Sequence, residues 1–372
     1  MEKDNITIDG AGYSLQGSGS GTGIGLTLKT DRLGYSGVTI KNLQIKGFTT
    51  GIHFSSSSNN IISRCNITDC HYGISILSSS SNAFSGNYLH NSTIGFEFVY
   101  SPNNVLTNNH LDSNSQPLWF EGDWINSIDP SNTINSSKPI YYFVNQKDLL
   151  INPSAYPEIG YLAFVNCTRI IVKNLNYSNS VMGIVMVQTT NSTITQNNIT
   201  NNWRGVYLYG SNNNSITENH VANNEDGIYV ETNSANTIAG NSITNNGCGV
   251  YLVGANQIIY HNNFVNNSKN VDAEEWNSLS FVPLPNGMHV WDNDYPFGGN
   301  YWSDYNGTDA NHDRIGDTPY MVSQYHNNTD RYPLMEPVDV IPEFPSWIIL
   351  VFVVGVSFSL AVLKTKKSRF VV

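Results

Sequence analysis

Glu97 and Glu121, with Trp119 between them, are the residues of this chain best suited to acid–base chemistry. Two carboxylates set across a glycosidic bond can hydrolyse it, and their separation decides whether the second acts as base or nucleophile. A second set of oxygens, Asp309, Asn311, Asp313 and Asp317, alternates along the chain beside Gly316, as ligands do in calcium loops. Arg314 stands where an EF-hand loop needs glycine, and no glutamate closes the site, so an Asx-rich turn without metal competes with calcium. A third set is aromatic: Trp119, Tyr141, Tyr207, Tyr229 and Tyr251 are separated by multiples of 22 residues. Rings in a row can grip a sugar or simply pack on one another. Soft-metal ligands are sparse. The chain has no Cys-x-x-Cys and no methionine cluster, and only His289, His312 and His326 are dense enough to meet, which disfavours copper.

The recurrence of 22 identifies the elements that carry these residues. NSTITQNNITNNWRGVYLYGS is followed by NNSITENHVANNEDGIYVETNS and then by ANTIAGNSITNNGCGVYLVGAN. Gly51, Gly73, Gly95, Gly183, Gly205, Gly227 and Gly249 lie on one grid, the signature of a solenoid. Apolar i, i+2 pairs follow it, among them Ile52/Phe54, Ile74/Ile76, Phe96/Phe98, Leu118/Phe120, Ile140/Tyr142, Leu162/Phe164 and Val206/Leu208. Each such pair marks the inward face of a short strand. A second inward pair precedes it, as in Ile62/Ile67, Phe84/Leu89, Ile194/Ile199 and Ile216/Val221. The expected fold is all-β: a right-handed parallel β-helix of 22-residue coils, about 10–12 of them. Asparagines at 87, 109, 197, 219 and 241 share one slot, where stacked amides can bond along the axis and corners need left-handed backbone.

On this grid Glu97 and Glu121 face outward from adjacent rungs, two residues out of register. Strand spacings of about 4.8 Å across and about 6.6 Å along place them roughly 8 Å apart, inside the inverting range of about 6.5–9.5 Å. No basic residue that a lyase would use stands beside them.

The regular body spans 1–271, with residues 112–165 irregular: Pro117 and Pro139 replace glycine, and the second inward pair fades to Ile128/Thr133 and Leu150/Ala155. Loops leaving the coil here, or a decayed repeat patched with bulky side chains, both fit the aromatics that gather there. Cys65 and Cys70 could pair at a corner; Cys167 and Cys248 are too far apart along the solenoid. Residues 272–338, rich in Trp, Tyr and Gly, form a C-terminal cap that covers the last rung's edge. A linker at 339–346 precedes 17 uncharged residues, 347–363, just long enough to span a bilayer, and a basic tail at 364–372 that places the C-terminus in the cytoplasm. Four of the 18 basic residues lie in that tail and all 29 acids precede it, so the body carries 14 bases against 29 acids, net −15. That field repels phosphate backbones and disfavours nucleic acid. Sequons at Asn66, Asn91, Asn135, Asn191, Asn198 and Asn306 fit a glycosylated exterior. The chain opens at MEKDNITIDG without a basic-then-apolar leader and is inside repeat-like sequence by residue 6, which suggests a start placed too late or a natural truncation.

NYWSDY, IGDTPY and DRYPLMEP, following Asn-rich repeats, resemble the periplasmic copper-binding β-helix family linked to nitrous-oxide-reductase maturation, the NosD-like proteins. The resemblance covers roughly residues 1–338 and implies a right-handed parallel β-helix outside the cytoplasm, with copper as the family's metal. Pro342, Glu343 and Phe344, the apolar segment and the basic tail resemble the three-part sorting signal of archaeal surface proteins, which a membrane transpeptidase cuts; a plain single-span anchor is the alternative. These readings together describe an extracytoplasmic, membrane-anchored cell-surface protein. Its expected role is binding or scaffolding of carbohydrate or surface-layer components, with polysaccharide cleavage and copper delivery as alternatives.

Overall fold

The computed structural model describes residues 4–19, 23–28, 34–135, 137–233, 235–274, 289–323 and 328–339. The apolar segment 347–363, the basic tail, Pro342, Glu343, Phe344 and His326 lie outside them. No helix among the described residues is long and apolar enough to cross a membrane.

Each turn of chain makes three short strands, such as Ile61–Ser63, Asn66–Thr68 and Tyr72–Leu77. Each strand pairs in parallel with its copy 22 residues on: Ile62 with Phe84, Ile67 with Leu89, Ile74 with Phe96. About 11 turns wind into an all-β, right-handed parallel solenoid, with no helix in the described part. The alternation of the sequence is the reason. β-branched and aromatic residues at every second position fill the interior, and Ile52, Phe54, Ile74, Ile76, Phe96, Phe98, Val206 and Leu208 are all fully buried.

Two roles expected of one asparagine are divided between neighbours. Left-handed backbone falls on Arg64, Asn108 and Glu218, with φ of 51°, 55° and 56°. The residue after each corner turns inward: Cys65, Asn109 and Asn219 are buried. There the amides form a ladder. The backbone N and Nδ2 of Asn197 donate to Asn219 Oδ1 at 3.0 and 2.9 Å, Asn219 repeats this on Asn241 at 3.0 and 3.0 Å, and Asn219 Nδ2 also donates to Ile194 O at 2.9 Å. Cys65 and Cys70 fill interior slots of such ladders as buried free thiols, so the bond considered between them is not formed.

The solenoid is broken once, between residues 112 and 165, where the sequence grid misleads. Asn132 succeeds Asn109 after 23 residues rather than 22. Ile134 and Ile151, not Thr133 and Leu150, are therefore the buried members, and Leu150 is exposed. The chain then doubles back: Thr133–Ile134 pairs antiparallel with Lys138–Val144, joining two stacks of parallel strands into one 13-stranded sheet. Strand Lys138–Val144 is shared between two cores. Ile140 and Tyr142 pack on the first, with Phe120 and Trp124, while Tyr141 and Phe143 pack on the second, with Leu162 and Phe164. The next register runs 21 residues, Tyr142 opposite Ala163. One residue gained and one lost restore the grid beyond the break.

Residues 289–339 close the far end. Trp302 stacks on Phe264 of the last coil at 4.4 Å, and Tyr320 stacks on Trp302 at 4.3 Å. Asn300 continues the ladder by accepting from Asn262 N at 3.0 Å, and Asp330 ends it, accepting from Asn300 N at 2.7 Å and Trp302 Nε1 at 2.9 Å.

Two predictions follow from this packing. Asn219→Leu keeps the volume but orphans the Asn197 backbone N–H and takes a donor from the Ile194 carbonyl; each buried unpaired group costs about 1–3 kcal/mol. Its urea midpoint should therefore fall well below that of Ile216→Val, for which about 0.5–1.5 kcal/mol is expected. Equal midpoints would remove the ladder from the account of stability. Burial raises the Asp330 carboxyl to about 6. The folded chain then holds this proton more tightly than the unfolded chain, so the stabilisation is complete below about pH 4 and is lost as pH rises to about 6. Asp330→Asn should flatten that part of the stability–pH curve, measured by urea titration; an unchanged slope would show that Asp330 does not set it.

Candidate functional site

Strands Thr50–Ser55, Tyr72–Leu77, Ile94–Val99 and Gln116–Glu121 align four outward residues, His53, Ser75, Glu97 and Trp119, in one ladder. They face outward because their neighbours, Ile52 with Phe54 and Phe96 with Phe98, face in. Ser75 Oγ donates to Glu97 Oε2 at 2.6 Å, and His53 Nδ1 lies 3.3 Å from Ser75 Oγ. Burial among these rungs raises the Glu97 carboxyl above its ordinary value; Ser75 opposes the rise and the charge of Glu121 adds to it. Glu121 is aligned with Val99, two residues past Glu97, so the offset read from the sequence is present. Trp119 is half-buried on the last strand of this sheet, and no other ring stacks on it among the described residues. His53 and Ser75 were not singled out in the sequence, yet stepping back from Glu97 by 22 and by 44 finds both.

The aromatic row is only partly one row. Tyr207, Tyr229 and Tyr251 do share an outward ladder. That ladder continues through Val185 and Ala163 to Tyr142, so Tyr141 and Trp119 do not belong to it. The one-residue slip at the break moves Tyr141 onto the core-facing side of the second stack, edge-on to Tyr156 at 4.9 Å. The three tyrosines spend their faces on one another and on Arg204. Tyr229 and Tyr251 are stacked at 4.5 Å, and the Arg204 guanidinium lies 3.6 Å over Tyr229 and 3.6 Å from Asp226 Oδ2. Tyr207 is buried and donates its hydroxyl to Glu231 Oε2 at 3.1 Å.

Asp309, Asn311, Asp313 and Asp317 are brought into one loop, where backbone N–H groups occupy their oxygens. Asp309 accepts from Asp313 N at 3.1 Å and Arg314 N at 2.9 Å, Asp313 from Ile315 N at 2.9 Å, and Asp317 from Ala310 N at 2.9 Å. The bond from Ile315 is the largest influence holding the Asp313 carboxyl below its usual range. These bonds form a chain of Asx turns.

Two family models match the chain. One, described as periplasmic copper-binding protein (NosD), matches residues 158–307; the other, right handed beta helix region, matches residues 18–146. Residues 158–307 are thus similar to NosD, and the two matches together support a NosD-like right-handed β-helix family. Curated protein sequences contain no match to it. Among solved structures, the A-module of a mannuronan C-5 epimerase from Azotobacter vinelandii is 17% identical over 65% of this chain and 62% of that one, TM-score 0.29. The match thus spans less than two thirds of that module. A pectate lyase is 14% identical over 82% and 85%, TM-score 0.30, and a DFA-IIIase from Arthrobacter chlorophenolicus 13% over 80% and 65%, TM-score 0.23. Scores this low say nothing of this chain's ligand.

Copper, which the NosD description implies, does not fit the donors among the described residues. No three of His, Cys, Asp and Glu are grouped to hold a metal among the described residues. Cys167 and Cys248 are buried, and burial raises both thiols, away from the thiolate that soft metals need. His289 is pushed down to about 4 by burial, and its Nδ1 accepts from Gln257 N at 3.2 Å. His261 Nε2 is engaged with Phe297 O at 2.8 Å.

Calcium is decided by melting. If the Asx turns suffice, the full-length chain melts at the same temperature with chelator and with millimolar calcium, and Asp309→Ala alone lowers it. A drop of several degrees in chelator, abolished in Asp309→Ala/Asp313→Ala, would establish the metal.

Proposed function

We propose that this NosD-like chain is an extracytoplasmic, non-catalytic binding protein that holds carbohydrate on the outward face carrying Trp119, Glu97 and Glu121. Trp119 carries the reading. It is a half-exposed indole without a stacking partner among the described residues, set one rung from a half-buried carboxylate. An indole face covers the apolar face of a pyranose, while the carboxylates and Ser75 take its hydroxyls. The net −15 body disfavours polyanions and suits a neutral polymer. An extracytoplasmic place agrees with the periplasmic description of the matching model. The segment 347–363 would anchor the body to the membrane, cut or uncut at Pro342, Glu343 and Phe344, within reach of surface-layer components.

A second reading, cleavage of the same polymer, is favoured by the raised Glu97 carboxyl and its offset from Glu121. One experiment separates them. On a neutral-glycan array followed by calorimetry, Trp119→Ala should weaken binding about tenfold, near 1.4 kcal/mol, and Glu97→Gln should shift affinity while no reducing ends appear with either protein. Reducing ends released by the wild type and lost in Glu97→Gln would replace binding by hydrolysis. Unchanged affinity in Trp119→Ala would end the reading of this face as a binding surface.

A further inference from the structure

The break in the solenoid leaves an unfilled wedge. Lys138–Val144 pairs antiparallel on Thr133–Ile134 and does not stack on Gln116–Glu121 or Ser127–Ile128, so the ends of two first-half sheets meet no further rung. Between them and the second stack lies an open cleft of about 510 Å³. Ile125, Asn126 and Asp129 line one wall, and Tyr141, Phe143 and Val144 the other. Its volume falls within the range of about 300–1,000 Å³ usual for small-ligand sites.

One buried group in the wall of this cleft is unsatisfied. Asn126 is the last member of an amide ladder: Asn60 N donates to Asn82 Oδ1 at 2.9 Å, Asn82 N to Asn104 Oδ1 at 2.9 Å, and Asn104 N to Asn126 Oδ1 at 2.8 Å. No rung follows to receive the Asn126 amide. The residue is 3% exposed, and its Nδ2 has no hydrogen-bond partner. The neighbouring ladders end differently. Asn132 Nδ2 finds Leu106 O at 2.8 Å, and Asn114 Nδ2 finds Leu89 O at 2.9 Å. A buried donor left over at an open cleft is the mark of a missing acceptor.

We infer that the cleft at the break binds a neutral sugar unit, with Asn126 Nδ2 donating to a ring or hydroxyl oxygen and Tyr141 and Phe143 on one wall and Ile125 on the other covering the sugar's apolar faces. The charge pattern sets the class. Among the described residues Asp129 is the only charged one lining the cleft, and its Oδ1 already accepts from Ser131 N at 3.0 Å. No cation is there to hold a carboxylate or phosphate, and the body's net −15 repels both. An aliphatic ligand would leave the amide unpaired. The site has one carboxylate, already engaged, so it holds a sugar and does not cleave it. It is separate from the Trp119 face and does not depend on it.

The test uses the full-length chain and neutral trisaccharides of glucose, mannose and galactose, with trigalacturonate as the anionic probe, followed by saturation-transfer NMR and calorimetry. Ile125 is 38% exposed, so Ile125→Trp fills the cleft without disturbing either core. At least one neutral trisaccharide should bind saturably. Ile125→Trp should weaken that binding at least tenfold, and Trp119→Ala should leave this component unchanged. Asn126→Ser, which keeps a hydroxyl on the ladder, should weaken it severalfold while the melting temperature stays within a few degrees. Loss of binding in Trp119→Ala with none in Ile125→Trp would overturn the cleft and leave the face. Tighter binding of trigalacturonate would overturn the neutral class, and no binding by any trisaccharide would overturn the inference outright.

Discussion

A buried amide that finds its partner one turn further on is the interaction on which the rest of this structure depends. A solenoid of short strands exposes a polar backbone at every corner, and corners turned inward would leave N–H groups unpaired in an apolar core. Asparagine meets the need because it carries an acceptor and two donors: Oδ1 accepts the backbone N–H of the previous rung, and Nδ2 reaches a carbonyl or the next amide. Cys167, Thr189 and Ser211 serve in corresponding slots, showing that the slot requires an inward acceptor and tolerates several ways of supplying it. The ladder also explains the two ends of the described solenoid stacks. Where a carboxylate is available, as at Asp330, the column is closed and the cap is tied to it. Where the column ends at the break, as at Asn126, it is not.

Outward positions obey a weaker rule. They need only suit solvent and their neighbours above and below, so they can collect chemistry. The tyrosine column and the His53–Ser75–Glu97–Trp119 column are built on the same geometry and differ in what is left over. In the first, Tyr229, Tyr251 and Arg204 satisfy one another, and Tyr207 is drawn into contact with the core of the first stack. In the second, hydrogen bonds run along the column and stop at Trp119, which has no rung beyond it. The surface with capacity to spare therefore lies beside the break, because that is where stacking ceases.

Much of this was legible in the sequence. The period of 22, the inward pairs, the amide slot, the aromatic cap and the offset of Glu97 from Glu121 all follow from side-chain alternation and stacking of like on like, which are local rules repeated. Even the Ser75–Glu97 contact follows from counting back one period. The sequence did not determine which way residues 112–165 turn. A gain of one residue before Asn132 and a loss of one after Tyr142 cancel in the count, so the grid looks intact while Tyr141 and Tyr142 exchange sides. Only the antiparallel pairing of Ile134 with Lys138 decides that, because choosing a partner strand is a long-range matter that no single repeat encodes. The same holds for the acids at 309–317. Their spacing allows either a cation or a set of turns, and the tertiary fold supplies the backbone N–H groups that the turns need.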